Sequence, residues 1–180
     1  LSLLHQEMAP ALGCTEPAAA ALAAAYAAKA LGERACEAEV LVSQYILKNA
    51  MNVGIPGTGM CGLDIAAAMG LVSARPEKEL MVLDGVDDAG KQEAKELAEK
   101  KKIRIDLYET SEKIYIEVRA RSLSHTACAV LSGSHKNLVL LKRDEEILYE
   151  KTAVLEEKDQ GGIGEESYPV TLREIVAFIR

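Results

Sequence analysis

Three observations predict an α+β fold. From Ala18 to Ala30 the chain is alanine-rich and free of Gly and Pro, as a closely packed helix requires. Beyond residue 102 the apolar period falls to two: Ile103, Ile105 and Leu107 are set against Arg104, Asp106 and Tyr108. Further alternating runs follow at short intervals, and such runs pair antiparallel with one solvated face. The expected organisation is a helical part built from both chain ends, residues 1–75 and 152–180. It carries an inserted α+β subdomain over residues 76–151 with a mainly antiparallel sheet, which a strand at 36–47 is a candidate to join.

Leu1, Leu4 and Met8 share one helical face with His5 nearby, and Pro10 closes that segment. A loop over 10–16 carries Cys14. The next helix runs from about Pro17 to Leu31, with Thr15 as a candidate cap, Pro17 in the first turn and Gly32 as the stop. Ala38, Val40 and Val42 alternate with Glu37, Glu39 and Leu41, which marks a strand. Residues 48–62 form a Gly- and Asn-rich loop. A short alanine-rich helix from about Gly59 to Met69 is expected to stop at Gly70. Residues 77–84 fit a helical turn or a short strand. An amphipathic helix follows from Asp87 to Lys101, with Ala94, Leu97 and Ala98 inward. Strands then fit 103–108, 114–121, 125–132 and 137–142, and a fifth fits 146–150. Residues 156–168 read as an acidic, Gly-rich connection. Thr171 to Glu174 is a capping box, with Val170 and Ile175 as its hydrophobic staple, opening a last helix.

Composition bounds the function. Hydrophobic residues make up 49% of the 180, but aromatics are limited to six Tyr and one Phe. The core must be built from Ala, Val, Leu and Ile, with close helix contacts. A formal charge of −7 argues against nucleic acid as a partner, which would call for a basic stripe. No apolar stretch approaches the ~20 residues that span a bilayer. Residues 1–12 lack the features of a secretory signal. Cys14, Cys36, Cys61 and Cys128 form no CxxC pair, which suits a reducing, cytoplasmic setting. The chain begins at Leu1 and stops inside a helical pattern at Arg180, as expected of a piece of a longer protein.

Cys14 stands immediately before a helix start. The free N–H groups and positive dipole end of that helix would lower its thiol pKa and favour thiolate, the form that binds metal. A small buried residue at a helix end is the ordinary alternative. Gly57-Thr58-Gly59-Met60-Cys61-Gly62 satisfies G-x-G-x-x-G, with Asp84 downstream as a ribose acid. The context fails, because Pro56 interrupts the strand that should precede the motif. A Gly-rich loop entering a helix can still hold a carboxylate or phosphate through its N–H groups. Lys48 and Asn49, at a strand-to-loop junction, could hold an anionic group or belong to a solvated turn. Ser134, His135, Lys136 and Asn137 follow Gly133 at a strand end, as a working loop or an ordinary turn. His125 suits local bonding. Cys36 and Cys128 read as core thiols, and Cys61 lies in the Gly loop without a ligand partner.

The segment Glu7 to Pro17, EMAPALGCTEP, resembles the N-terminal signature of the iron–sulfur L-cysteine desulfidases, within the serine dehydratase alpha-chain superfamily. The similarity continues through Lys48-Asn49, Val53 to Gly59 with Gly62, Ser134 to Val139, and Thr171 to Ile179. The resemblance implies an oxygen-sensitive lyase with a [4Fe-4S] cluster and no pyridoxal phosphate. Cysteines would hold three irons and leave the fourth open as a Lewis acid. Cys14 matches the first of these ligands, and the others belong to a C-terminal half of the same protein that lies outside this chain. The implied reaction is β-elimination of L-cysteine to sulfide, pyruvate and ammonia. Lys48, Asn49, Gly57, Thr58, Gly59, Ser134, His135 and Asn137 become candidates to bind the amino-acid substrate. The general base is unassigned, and the piece alone is expected to be inactive. An L-serine dehydratase shares every feature but the leaving group, and a non-catalytic small-molecule-binding or regulatory module remains the other class. A homo-oligomer stays open.

Overall fold

The computed structural model of the protein describes residues 10–151. Helix α1 (Thr15–Leu31) is its axis. Between Glu16 and Leu31 only Tyr26 and Lys29 escape burial, because a helix that is apolar all round must be covered all round. One side of α1 lies on the sheet and another on α3 (Leu63–Ser73). Its C-terminus closes at Gly32, whose left-handed φ of 69° lets its N–H reach the Ala28 carbonyl at 3.3 Å. The N-cap is Cys14 rather than Thr15, with no side chain capping the first turn.

Strand β1 (Glu37–Val42) is shorter than the expected 36–47. Ser43 ends it: its Oγ accepts from the Ile46 N–H and donates to the Lys113 carbonyl at 2.6 Å, starting helix α2 (Gln44–Ala50). A serine with this local bonding diverts the backbone from strand to helix. Lys48 and Asn49 therefore lie on α2 and not at a strand-to-loop junction. Helix α3 begins at Leu63, later than Gly59, and continues past Gly70 to Ser73. A Cβ on Gly70 would stand 2.1 Å from the Ala21 carbonyl oxygen. Gly70 thus allows the backbones of α1 and α3 to approach closely and does not stop the helix. A 3-10 helix (Pro76–Met81) settles the ambiguous stretch as helical. Helix α4 (Asp88–Glu99) is capped by Asp87, which accepts from the Gly90 N–H at 2.8 Å, and buries Ala94 and Ala98.

The strands that follow lie close to the expected positions: β2 (Ile103–Leu107), β3 (Tyr115–Arg121), β4 (Thr126–Ser132), β5 (Leu138–Arg143) and β6 (Glu146–Glu150). They form one sheet in the order β2-β1-β3-β4-β5-β6. The fold is α+β with a mostly antiparallel sheet. One pair departs from the expected antiparallel run: β2 joins β1 in parallel, from Ala38 opposite Ile103 to Val42 opposite Leu107. Parallel neighbours need a long crossover, and α2 to α4 supply it. Val40, Val42, Ile116, Val118, Ala129 and Leu131 point into a single core shared with α1, α3 and the 3-10 helix. Residues from 10–75 and from 76–151 both contribute to that core. The helix expected at 1–9, His5, and the capping box and last helix expected within 152–180 lie outside the described residues.

The other face of the sheet is solvated but has a buried acid at its centre. Glu117 is 8% exposed and accepts from Tyr115 Oη and Arg119 Nε, both at 2.7 Å. Cys128 lies on this face, half-buried, with Sγ 3.6 Å from Glu117 Oε1. Burial, and then the Glu117 carboxylate, push its thiol up to about 11. The same causes raise the Tyr115 phenol. Cys36 is exposed, so neither cysteine is the core thiol expected from the strand pattern. Because thiolate is the reactive form, native alkylation at pH 8 should label Cys36 and Cys61 well ahead of Cys128. Raising the pH towards 11 should bring Cys128 into line. Peptide mapping by mass spectrometry checks this, and equal labelling at pH 8 would contradict the burial of Cys128. Among the described residues, no helix is long and apolar enough to cross a membrane.

Candidate functional site

The site is built where three loops meet at the N-terminus of α1. Gly13, at φ +90°, turns the chain so that Cys14 precedes the helix. A Cβ on Gly13 would lie 3.3 Å from Pro56 Cγ, so the Cys14 loop rests directly on the Gly-rich loop. The Leu12 N–H fixes the other side on the Leu80 carbonyl at 3.2 Å.

Cys14 is exposed, and its Sγ donates to Glu16 Oε2 at 2.8 Å. Thr15 Oγ1 donates to the same oxygen at 3.2 Å. Glu16 is only 8% exposed although it stands in the first turn of a helix. Burial alone would push its carboxyl up. The Cys14 thiol, its own backbone N–H, the Thr15 hydroxyl and the neighbouring His135 outweigh burial and hold it below its ordinary value. The same contact acts in reverse on sulfur. The hydrogen bond to Glu16, followed by burial, raises the Cys14 thiol above its usual value. The lowered pKa expected from the helix dipole is therefore corrected: a carboxylate at hydrogen-bond distance outweighs the partial charge of a helix end.

His135 lies in the β4–β5 turn, near enough to Glu16 to influence its charge. Its Nε2 is buried and has no hydrogen-bond partner among the described residues. Buried polar atoms are nearly always partnered, so this nitrogen is suited to a group brought by something else. The rest of the turn is occupied. Lys136 Nζ pairs with Glu79 Oε2 at 2.8 Å. Asn137 Nδ2 donates to the Ser132 carbonyl at 2.7 Å, and Asn137 Oδ1 accepts from Lys151 Nζ at 3.0 Å. Ser134 is exposed.

The Gly-rich loop closes on itself through an isolated bridge between Gly54 and Cys61. Thr58, 3% exposed, fills its interior: Oγ1 donates to the Ile55 carbonyl at 2.8 Å and accepts from the Met60 N–H at 3.0 Å. Thr58 is thus the staple of the loop. Among the described residues the N–H groups of Gly57 and Gly59 make no hydrogen bond. Gly59, at φ +70°, has open space where a side chain would be, and a Cβ on Gly57 would lie 3.3 Å from Lys91 Cε. This closed hairpin has none of the strand context that a dinucleotide fold needs.

The structure therefore joins Cys14, the Gly57–Gly59 loop and His135 at one end of the molecule. Lys48 is exposed and Asn49 half-buried on α2, and neither makes a side-chain hydrogen bond among the described residues. Cys61 is exposed in the Gly loop. Two residues at this end escaped sequence reasoning. Glu16 reads as an ordinary first-turn acid, and only its burial marks it. Lys91 reads as part of a solvated helix face, and nothing in the pattern places it at Gly57. Among the described residues, no group of three or more His, Cys, Asp and Glu side chains is placed to hold a metal ion. A cluster held at Cys14 would need further ligands from elsewhere in the protein.

No protein-family model matches the chain, and no solved structure matches it. Curated relatives do. A UPF0597 protein of Oleidesulfovibrio alaskensis is 40% identical over 178 residues, covering 99% of this chain and 41% of the relative. A UPF0597 protein of Bacteroides fragilis is 40% identical over 179 residues, with the same coverage. One from Aeromonas hydrophila is 39% identical over 183 residues, covering 99% of this chain and 40% of the relative. The chain spans about two fifths of the length of these relatives.

Proposed function

We propose that this chain is part of a longer [4Fe-4S]-dependent lyase that eliminates sulfide from L-cysteine to give pyruvate and ammonia. The observation that carries the reading is the exposed Cys14 thiol, hydrogen-bonded to buried Glu16 and abutting a Gly-rich loop whose Gly57 and Gly59 N–H groups make no hydrogen bond among the described residues. The resemblance of Glu7–Pro17 to the desulfidase signature supports the same reading.

The residues present fit one corner of a cluster. Cys14 would hold one iron, and a cluster so bound supplies an open iron that acts as a Lewis acid on the substrate's carboxylate and β-substituent. The chain's own residues supply the rest of this corner. Metal ligation requires thiolate, so binding would have to displace the Cys14 proton that now forms the 2.8 Å hydrogen bond to Glu16 Oε2. The N-terminus of α1 then favours the negative sulfur. The N–H groups of Gly57 and Gly59 suit a substrate carboxylate, while Thr58 holds the loop that presents them. Lys48 and Asn49 keep their candidacy for that carboxylate through motif position. His135 Nε2 offers a buried nitrogen to the bound amino acid. Ser134 is exposed in the same turn and keeps its candidacy through motif position, and Asn137 shapes the turn that carries His135.

L-Serine is the second substrate reading, because the same site would release hydroxide in place of sulfide. Full-length protein prepared without oxygen should form pyruvate from L-cysteine faster than from L-serine. A preference for serine would replace the desulfidase reading with the dehydratase one. Pyruvate from neither amino acid would end both.

A further inference from the structure

The solvated face of the sheet holds a cavity of about 630 Å³. It lies at the ends of β4 and β5 remote from the Ser134–Asn137 turn, since Thr126, Cys128 and Lys142 line it. It is therefore separate from the Cys14 site.

The carboxylates around this cavity are matched from within the chain. Glu39 pairs with Arg104 and, at 3.2 Å, with Arg119; Glu37 pairs with Arg121 at 3.9 Å. Asp144 accepts from the Thr126 N–H at 2.8 Å and pairs with His125 Nδ1 at 2.7 Å. Three cations are not matched. Lys101, Lys102 and Lys142 line the cavity and form no ion pair among the described residues. Lys142 is half-buried opposite Cys128, where an uncompensated ammonium is unfavourable. Lys101 takes φ +53°, the left-handed conformation that closes helix α4. Its N–H is tied to the Ala98 carbonyl and that of Lys102 to the Leu97 carbonyl, each at 2.9 Å, so the turn that presents both lysines is fixed.

The geometry points to a binding site for a small multivalent oxyanion, held by Lys101, Lys102 and Lys142. A cavity of this size accommodates a metabolite rather than a macromolecule. Among the described residues no aromatic side chain lines it to stack on a nucleobase. The shared ligand chemistry is clustered negative oxygens, whether phosphoryl or carboxylate. In a chain of net charge −7, this concentration of unmatched lysines cannot come from a generally basic surface.

Calorimetric titration of the full-length protein at constant ionic strength, with inorganic pyrophosphate and with citrate, tests the site. At least one probe should bind, and the tighter one identifies phosphoryl or carboxylate as the preferred group. The triple variant Lys101→Gln, Lys102→Gln, Lys142→Gln should bind that probe at least tenfold more weakly, and Cys14→Ala should bind it unchanged. If the triple variant does not fold, Lys142→Gln alone should weaken binding severalfold. Binding of neither probe, or undiminished binding in the lysine variants, overturns the proposal.

Discussion

Replacing Gly70 with alanine is expected to destabilise the protein by about 3 kcal/mol or more, above the ordinary range for overpacking. The reason is local and steric. An added Cβ would lie 2.1 Å from the Ala21 oxygen and 2.7 Å from its carbonyl carbon. Those atoms belong to the backbone of α1, which is buried against the sheet and α3 and cannot retreat without opening the core. Helix propensity alone would favour the substitution by nearly 1 kcal/mol, so the sign of the effect separates packing from propensity. Gly59→Ala is the contrast. There the new methyl meets nothing, and only the φ of +70° opposes it, at about 1 kcal/mol. Denaturant unfolding of both variants checks the pair. A Gly70→Ala effect no larger than that of Gly59→Ala would mean that α1 and α3 do not approach as described.

Removal of the Cys14 sulfur is expected to abolish iron retention and lower elimination by ~10³-fold or more, since Lewis-acid stabilisation is worth several kcal/mol. Cys14→Ser is the sharper variant, because it keeps a donor for Glu16 and removes only the soft ligand. Both variants should fold normally, as the thiol is exposed and its one hydrogen bond is local. Glu16→Gln keeps the shape of the side chain and removes its charge. A residue that acts through a metal ligand typically alters affinity or activity 10–100-fold, and that range is expected here. Circular dichroism and iron analysis of the three variants separate loss of metal from loss of fold.

The fold was largely legible because its strongest signals are periodic. An alanine run without a polar stripe announced a buried helix, and alternation marked β1, β2 and β3. Boundaries failed where a single side chain acts locally: Ser43 turns a strand into a helix, and Gly70 packs where composition reads it as a stop. The parallel pairing of β2 with β1 was invisible because alternation fixes the faces of a strand and not its neighbours.

Ordered motifs drew attention to Cys14, the Gly loop and His135, and the structure gathers them at one end. The chemistry between them was not legible. That Glu16 is buried and accepts from the Cys14 thiol, or that His135 Nε2 has no partner among the described residues, depends on contacts between loops distant in the chain. Asn137 shows the converse, a motif residue whose side chain is consumed in closing its own turn.

The most direct test of the central claim compares full-length wild-type protein with Cys14→Ala, both prepared without oxygen, for iron content and sulfide release from L-cysteine. The account predicts roughly four irons per chain in the wild type, as for one [4Fe-4S] cluster, with sulfide formed, and neither property in the variant. Wild-type protein without iron, or a variant that keeps both iron and sulfide release, would contradict it.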